Sequence, residues 1–429
     1  MFNQVRIYFI ILSFLFIPYK QVFAEEILTW RDCIKEAAKN HPDLIAASEE
    51  IKQSQASKAI TASTLYPQID ANLSAATAKT SAEDQSGNFE GSTSDSYSYG
   101  VTGTQLIFDG LKTVSDVKAA AETITASKYN FKFTSTTVRF RLRSAYISLL
   151  KVQQSLKITQ EIYDIRRSNL ELIALRYESG LEHKGALLTA EADLDNAKYQ
   201  VSQAKRNVEV AQRQLIKEMG RTQFSPVLVS GDFKVKDAAK EKPDFAAIAK
   251  NNPSLGQIIA QKNSAQYSLK SAYANFSPTL SGSAGANKSG SHWSPGGDNW
   301  NLGLSVSMPI FEGGLRLAQV SQAEAYLNQL KENERSTRDG LVSTLEQNWA
   351  LLQDAIENVG VQFKTLIATE ERSKIAQAEY SVGLITFDNW TIIEDNLVKQ
   401  KSVYLNAQAD ELLAEATWIK AKGETLEYE

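Results

Sequence analysis

The side chains that most often do chemistry are few and scattered in this chain. A single cysteine, Cys33, leaves no internal disulfide framework and no multi-cysteine metal site. The three histidines, His41, His183 and His292, lie far apart and read as loop or helix-end residues rather than ligands. No glycine-rich phosphate loop sits in a strand–turn–helix setting and no nucleophile–base set can be assembled, so an enzyme is the weakest reading. What recurs at fixed spacing is a turn. Tyr177-Glu178-Ser179-Gly180-Leu181 returns as Tyr380-Ser381-Val382-Gly383-Leu384, 203 residues on. Glycine in that place ends a helix in the left-handed conformation, and a duplicated exposed turn is a candidate docking surface. Three acids follow the second turn, Asp388, Glu394 and Asp395. Asp388 and Asp395 are seven apart and share one helix face.

The elements that must carry those turns are themselves written twice. The offset of 203 takes Ile107-Phe108-Asp109-Gly110 onto Ile310-Phe311-Glu312-Gly313, Glu191 and Leu194 onto Glu394 and Leu397, and Gly220 onto Gly423. Four landmarks at one offset mark a duplicated supersecondary unit: a very long helix, a tight turn, and a helix running back. No proline and no interior glycine interrupts Leu111 to Tyr177. As helix, that run is roughly 100 Å long at ~1.5 Å per residue. Ten positions step by four and three from Ala145 through Leu149, Val152, Leu156, Thr159, Tyr163, Arg166, Leu170 and Ile173 to Tyr177, and eight of the ten can pack in a coiled-coil seam. Ile158, Ile162, Ile165 and Leu172 form a second stripe, which suits a helix with a neighbour on each side. A helix wedged in a thick bundle fits the same periodicity.

Upstream of each long helix the period changes to two. Ile69, Ala71, Leu73 and Ala75 alternate with polar residues, and Tyr97, Tyr99 and Val101 return. In the second half Leu280, Gly282, Ala284 and Ala286 pair with Trp300, Leu302, Leu304, Val306, Met308 and Ile310. Each run has about the 9–11 residues that a tilted strand needs to cross a bilayer. Lys79 to Asp95 and Lys288 to Asp298, rich in Ser, Gly and Asn, read as exposed hairpin loops. A soluble antiparallel sheet with one wet face is the alternative. Four strands cannot close a barrel, and lipid does not tolerate an open edge, so membrane-spanning strands require several copies to share one barrel.

Composition and termini set the context. Nine prolines in 429 residues and abundant Ala, Gln, Leu, Lys and Glu favour helix, and a net charge of −4 gives nucleic-acid binding no support. Residues 1–24 read as a secretory signal, with Arg6, an apolar run from Ile7 to Ile17 and Val22-Phe23-Ala24 as cleavage site. The expected divisions are a first repeat over 25–220, with a β-hairpin at about 68–108 and a coiled hairpin over 111–220. A linker over 221–243, in which Val227-Leu228-Val229 can form a short strand, leads to the second repeat over 244–423. That repeat has its β-hairpin at about 279–311 and its coiled hairpin over 314–423, and a tail over 424–429 follows.

The ordered set of motifs resembles the TolC-like outer-membrane efflux proteins. Ile-Phe-Asp-Gly and Ile-Phe-Glu-Gly at strand ends, Ala145-Tyr146 with Leu149-Leu150, Asn348-Trp349 with Leu352, and the two Tyr-x-x-Gly-Leu turns carry the likeness, which covers essentially all of the mature chain. It implies a mainly α fold with a small transmembrane β part. Three chains would give four strands each to a 12-stranded β-barrel, continued by a hollow α-barrel of duplicated long-helix hairpins. The resemblance places such a protein in the outer membrane of a Gram-negative bacterium, with a large periplasmic part. There it would be the passive exit duct of a tripartite efflux or type I secretion system. Its partners would be two further copies, outer-membrane lipid, a periplasmic adaptor protein and an inner-membrane efflux pump or ABC transporter. The adaptor would dock on Tyr177, Gly180, Leu181, Tyr380, Gly383 and Leu384. Many members carry acids six and nine positions after the second tip glycine, as carboxylate rings that close the pore. Here those positions are Asn389 and Ile392, so the candidate constriction is Asp388, Asn389, Ile392 and Asp395. As rings, Asp388 or Asp395 would repel themselves and need cations or shared protons; as solvated surface acids they would do nothing. A non-channel periplasmic coiled-coil structural or adaptor protein is the competing reading.

Overall fold

The computed structural model describes residues 26–83, 89–233 and 241–426. The expected signal segment lies outside the described residues. The elements run β1 (Glu26–Leu28), α1 (Trp30–Asn40), α2 (Pro42–Ser63), β2 (Gln68–Glu83), β3 (Phe89–Phe108), α3 (Lys112–Glu178), α4 (Lys184–Met219) and β4 (Val227–Val229). They continue with α5 (Phe245–Lys250), α6 (Pro253–Ala274), β5 (Thr279–Gly290), β6 (Gly297–Ser307), α7 (Leu315–Ser381) and α8 (Phe387–Lys422). Both long helices have 67 residues and both returning helices 36, so the offset of 203 holds at all four pairs of helix ends.

Local chemistry sets the boundaries. Thr29 and Asp32 form a reciprocal capping box at α1. His41 and Asn252 cap α2 and α6 ahead of a proline at the first helical position. Gly220 and Gly423, with φ of +77° and +82°, end α4 and α8. Nothing comparable interrupts α3 or α7, and so they run on.

The helices form four columns side by side. Gly220 at the end of α4 lies against Asn40 and His41 at the start of α2, and Gly423 at the end of α8 lies against Asn252 and Pro253 at the start of α6. Column one is therefore α4 with α2, and column three is α8 with α6. The long helix α3 stands between them as column two, packed on α2, α4, α6 and α8, while α7 packs on α6 and α8 as column four. Two stripes on α3 are what such a position requires. Leu149 and Ile173 of the seam are buried, Ile162 of the second stripe is buried too, and Tyr177 alone of the ten seam residues is exposed.

The strands keep the same lateral order. β2, β3, β5 and β6 form one antiparallel sheet in that sequence, each joined to the column of the same rank. Register sorts the side chains cleanly. Leu73 faces Tyr99, Val101 faces Ala286, Ala284 faces Leu302 and Gly282 faces Leu304, all on one side. Ser74 faces Ser98, Thr102 faces Gly285 and Ser281 faces Ser305 on the other. Among the described residues no strand pairs with the outer edge of β2 or of β6, and beside columns one and four lie only the short helices α1, on α4, and α5, on α7. Where the columns meet the linker, β1 and β4 pair in parallel over a core that includes Cys33, Leu142, Leu149, Leu215 and Met219. Burial pushes the Cys33 thiol up to about 12, which makes it inert.

Two expectations need correction. The first hairpin loop is far shorter than Lys79 to Asp95, because the ladder continues to Glu83 opposite Phe89. Serine- and glycine-rich composition reads as loop, yet pairing there needs only backbone groups, helped by Thr77 donating to Asp95 at 2.8 Å. Lys288–Gly290 and Gly297–Asp298 are likewise strand. At the other end, β6 stops at Ser307, so Ile310-Phe311 lies beyond the strand while Ile107-Phe108 lies within β3. Pro309 lacks the N–H a ladder needs.

Candidate functional site: the hairpin tips and the strand wall

Both tips close by the same backbone bonds. Leu181 N–H donates to the Arg176 carbonyl at 2.8 Å and Gly180 N–H to Tyr177 at 3.0 Å, and Leu384 and Gly383 repeat this onto Glu379 and Tyr380 at the same two distances. Gly180 and Gly383 hold φ of +73° and +80°, with open space where a Cβ would point. Each turn thus exposes a leucine, Leu181 at 68% and Leu384 at 74%. The returning helices are capped by His183, whose Nδ1 accepts from Ala186, and by Thr386, which accepts from Asn389.

Below the turns the symmetry breaks. Tyr177 is exposed, whereas Tyr380 is 1% exposed, its ring stacked on Trp390 at 4.5 Å and 9°. The Arg176 guanidinium sits 4.8 Å over the same ring. The Tyr380 hydroxyl donates to Glu182 at 2.9 Å, and burial together with that carboxylate pushes the phenol up to about 12. Arg176 and Glu182 belong to the first coiled hairpin and Tyr380 to the second. The two are bolted together around Ile173, Ala186, Ala190, Ala376, Phe387 and Trp390.

The candidate constriction residues all lie on one exposed face of α8. Asp388, Asn389, Ile392 and Asp395 point away from the packed face of Phe387, Trp390 and Glu394. Glu394 is buried and accepts from Ser373. The two aspartates are unlike. Asp388 has no ion pair among the described residues, whereas Asp395 is paired with Arg166 of α3, whose other nitrogen is 3.8 Å from Asp193 of α4. Burial pushes the Asp193 carboxyl upward against the pull of Arg166. One guanidinium therefore ties three helices and offsets the charge of Asp395, leaving Asp388 as the uncompensated acid beside Ile392, which is 59% exposed. Sequence reasoning missed Arg176, Glu182 and Asp193. Arg166 was visible as a charge inside an apolar seam, where a polar residue implies a specific partner.

The strand wall supplies the second surface. Ile69, Leu73, Trp300, Leu302, Leu304 and Val306 are 68–81% exposed on one side of the sheet. Toward the hairpin tips that side ends in the Lys288–Asp298 ion pair at 3.1 Å. The opposite side carries Asn72, Ser74, Ser98, Ser283, Asn301 and Ser305. An apolar band with a charged border and a small-polar reverse is the pattern of a strand between lipid and water. Among the described residues no helix is long and apolar enough to cross a membrane.

Comparison with known proteins agrees with this geometry. The family model for outer membrane efflux proteins matches residues 33–221 and 246–424. The outer membrane efflux protein BepC of Brucella suis is 21% identical over 413 residues, covering 94% of this chain and 86% of BepC. TolC of Escherichia coli is 23% identical over 341 residues, covering 75% of this chain and 68% of TolC. The crystal structure of the Campylobacter jejuni CmeC outer membrane channel superposes with a TM-score of 0.81 at 19% identity, covering 91% of this chain and 84% of that one. With its duplicated helical hairpins and its four strands, the chain belongs to the TolC-like outer membrane efflux protein family, the exit ducts of efflux and secretion systems.

Proposed function

We propose that three copies of this chain close edge to edge into one duct through the outer membrane and the periplasm. The observation that carries this is the four-column wall, in which every column continues into a strand and both outer edges are open. An open sheet edge in lipid leaves backbone groups unpaired at several kcal/mol each, so β6 of one copy pairs with β2 of the next. Below, the exposed Val361, Phe363, Ile367 and Ile375 of α7 lie on the edge column that meets α4 of the next copy, where Leu188, Tyr199 and Val210 are exposed. Twelve strands and twelve columns result.

The duct hands on what an inner-membrane efflux pump or ABC transporter delivers through a periplasmic adaptor, and does no chemistry of its own. The adaptor seats on the tips, at Tyr177, Gly180, Leu181, Tyr380, Gly383 and Leu384. The exposed face of α8 lines the narrow end, with Asp388, Asn389, Ile392 and Asp395 as its constriction. A purely periplasmic structural protein would have no use for a row of exposed Trp300, Leu302, Leu304 and Val306. Cross-linking the purified protein in detergent tests the assembly: products stop at three. A monomer that inserts in membranes on its own overturns it.

A further inference from the structure

The contact between stacked helices is built twice, and the two copies differ in one chemical respect. At the upper joint of column three, Asn252 Oδ1 accepts from the Ser254 N–H at 3.0 Å, capping α6, while its Nδ2 donates to the Ala421 carbonyl at 3.0 Å in the last turn of α8. One neutral amide stitches two helix ends. In column one the same place is held by His41. Its Nδ1 accepts from the Asp43 N–H at 3.2 Å, capping α2, and its Nε2 faces Glu218 of α4 at 3.7 Å. His41 and Glu218 are both buried, at 5% and 2%.

The surroundings differ in the same sense. The charged groups turned toward His41 and Glu218 are Asp43 from α2, Arg141 from α3 and Lys217 from α4. Arg141 Nε lies 3.8 Å from Glu218, Lys217 Nζ lies 3.3 Å from it, and Arg141 also pairs with Asp43. Gln214 completes the shell by donating to Glu218 at 3.1 Å. At the repeat-equivalent positions the second joint has Asn252, Ser254, Thr344 and Ala421 in place of His41, Asp43, Arg141 and Glu218. Only Lys217 keeps a charged equivalent, Lys420.

We infer that the joint between α4 and α2 is a pH-responsive hinge, and that its counterpart between α8 and α6 is a fixed one. A helix cap of this kind needs a lone pair on Nδ1. Imidazole is the side chain that ordinarily gains a proton between about pH 5 and 8. A proton on Nδ1 removes the acceptor for the Asp43 N–H and makes the ring a cation facing the Glu218 carboxylate. Acid therefore exchanges a bond within α2 for an attraction to α4. The first turn of α2 loosens while the ring is drawn to α4, the helix stacked on it in the same column. Asn252 cannot make this exchange, because its amide does not titrate.

Amide hydrogen exchange on the full-length protein in detergent, at pH 8 and pH 5.5 and corrected for intrinsic rates, tests this with an internal control. In the parent, protection of the first-turn amides of α2 should fall about fivefold relative to those of α6, the effect of losing an ordinary N-cap. In His41→Asn, which installs the capping side chain of the second joint, the two helices should change in parallel. In Glu218→Gln, which keeps the shape and removes the charge that favours the imidazolium, the selective loss at pH 5.5 should shrink. Parallel change of α2 and α6 in the parent, or an undiminished selective loss in His41→Asn, overturns the inference.

Discussion

Arginine placed at Leu304 or at Ser305 distinguishes a lipid-facing strand from a wet one, because the two neighbours point to opposite sides of β6. Leu304 is 74% exposed and lies beside Gly282 on the apolar side, whereas Ser305 faces Ser281 on the polar side. The Lys288–Asp298 pair marks the charged border of the apolar band, and Leu304 lies six residues below Asp298. At ~3.3 Å per residue and a tilt of about 40°, six residues descend roughly 15 Å. Half of a band about 25 Å tall is ~12 Å, so Leu304 sits near the midplane, where arginine costs ~2–4 kcal/mol. Three copies in one barrel bring the penalty for Leu304→Arg to about 6–12 kcal/mol per trimer. Ser305→Arg, in water, should cost under about 1 kcal/mol per chain. The assay is folding into lipid vesicles, read as heat-resistant trimer on gels and as the urea midpoint. Equal tolerance at the two sites refutes the barrel. The reverse order, with Ser305→Arg the harsher change, would mean that the sheet buries its serine side and wets its leucine side.

The tips and the narrow end give three more expectations. Gly180→Val with Gly383→Val forces β-branched residues to φ of +73° and +80°, at ~1–2 kcal/mol each; trimers should persist in membranes while adaptor cross-linking and export are lost, and export with normal cross-linking would reduce the turns to punctuation. Tyr380→Phe keeps the stack on Trp390 and removes only the bond to Glu182, so tip stability in hydrogen exchange should fall by about 1 kcal/mol. Tyr380→Ala removes the stack as well and should cost ~3–5 kcal/mol. In planar bilayers, Asp388→Ala with Asp395→Ala should raise single-channel conductance and weaken block by divalent or trivalent cations. Arg166→Ala, which uncovers Asp395, should strengthen that block. Unchanged conductance and block in all of these would move the constriction to Ile392.

Much of the scaffold was legible because its punctuation is covalent. Gly220 and Gly423, Pro42 and Pro253, and the absence of proline from α3 and α7 act within a few residues, so they can be read without knowing what packs where. The strand faces were legible for the same reason, since alternation is a property of the strand itself. The length of the first hairpin was not. Outside the apolar band neither face of a ladder needs hydrophobic residues, so Lys79–Glu83 and Phe89–Asp95 carry the composition of a loop and the hydrogen bonds of a sheet. The inequality of the tips was hidden too. Tyr177 and Tyr380 hold the same place in the repeat, and what separates them is supplied from elsewhere. Trp390 replaces Leu187 and Phe387 replaces Lys184, while Arg176 and Glu182 reach across from the other hairpin. Contacts between repeats leave no periodic trace.

The unequal hairpins give the outer mouth of the duct a shape. The ladder of β2 and β3 has 16 residue pairs and that of β5 and β6 has 11. Through the β3–β5 register Ser98 lies beside Ser289, the last residue of the second ladder, so nine further β2–β3 pairs stand beyond it and lift each first hairpin by roughly 23 Å at the tilt used above. Around the threefold rim of the proposed duct the result is a battlement, three tall merlons alternating with three low gaps, and the merlons carry serine and threonine on both faces, Ser81 and Thr93 on one and Thr80 and Ser92 on the other. In the proposed duct they are the part of the molecule turned toward the cell's surroundings, the first place where an antibody or a phage would land. They are also where chain can be added without disturbing either the wall or the passage inside it.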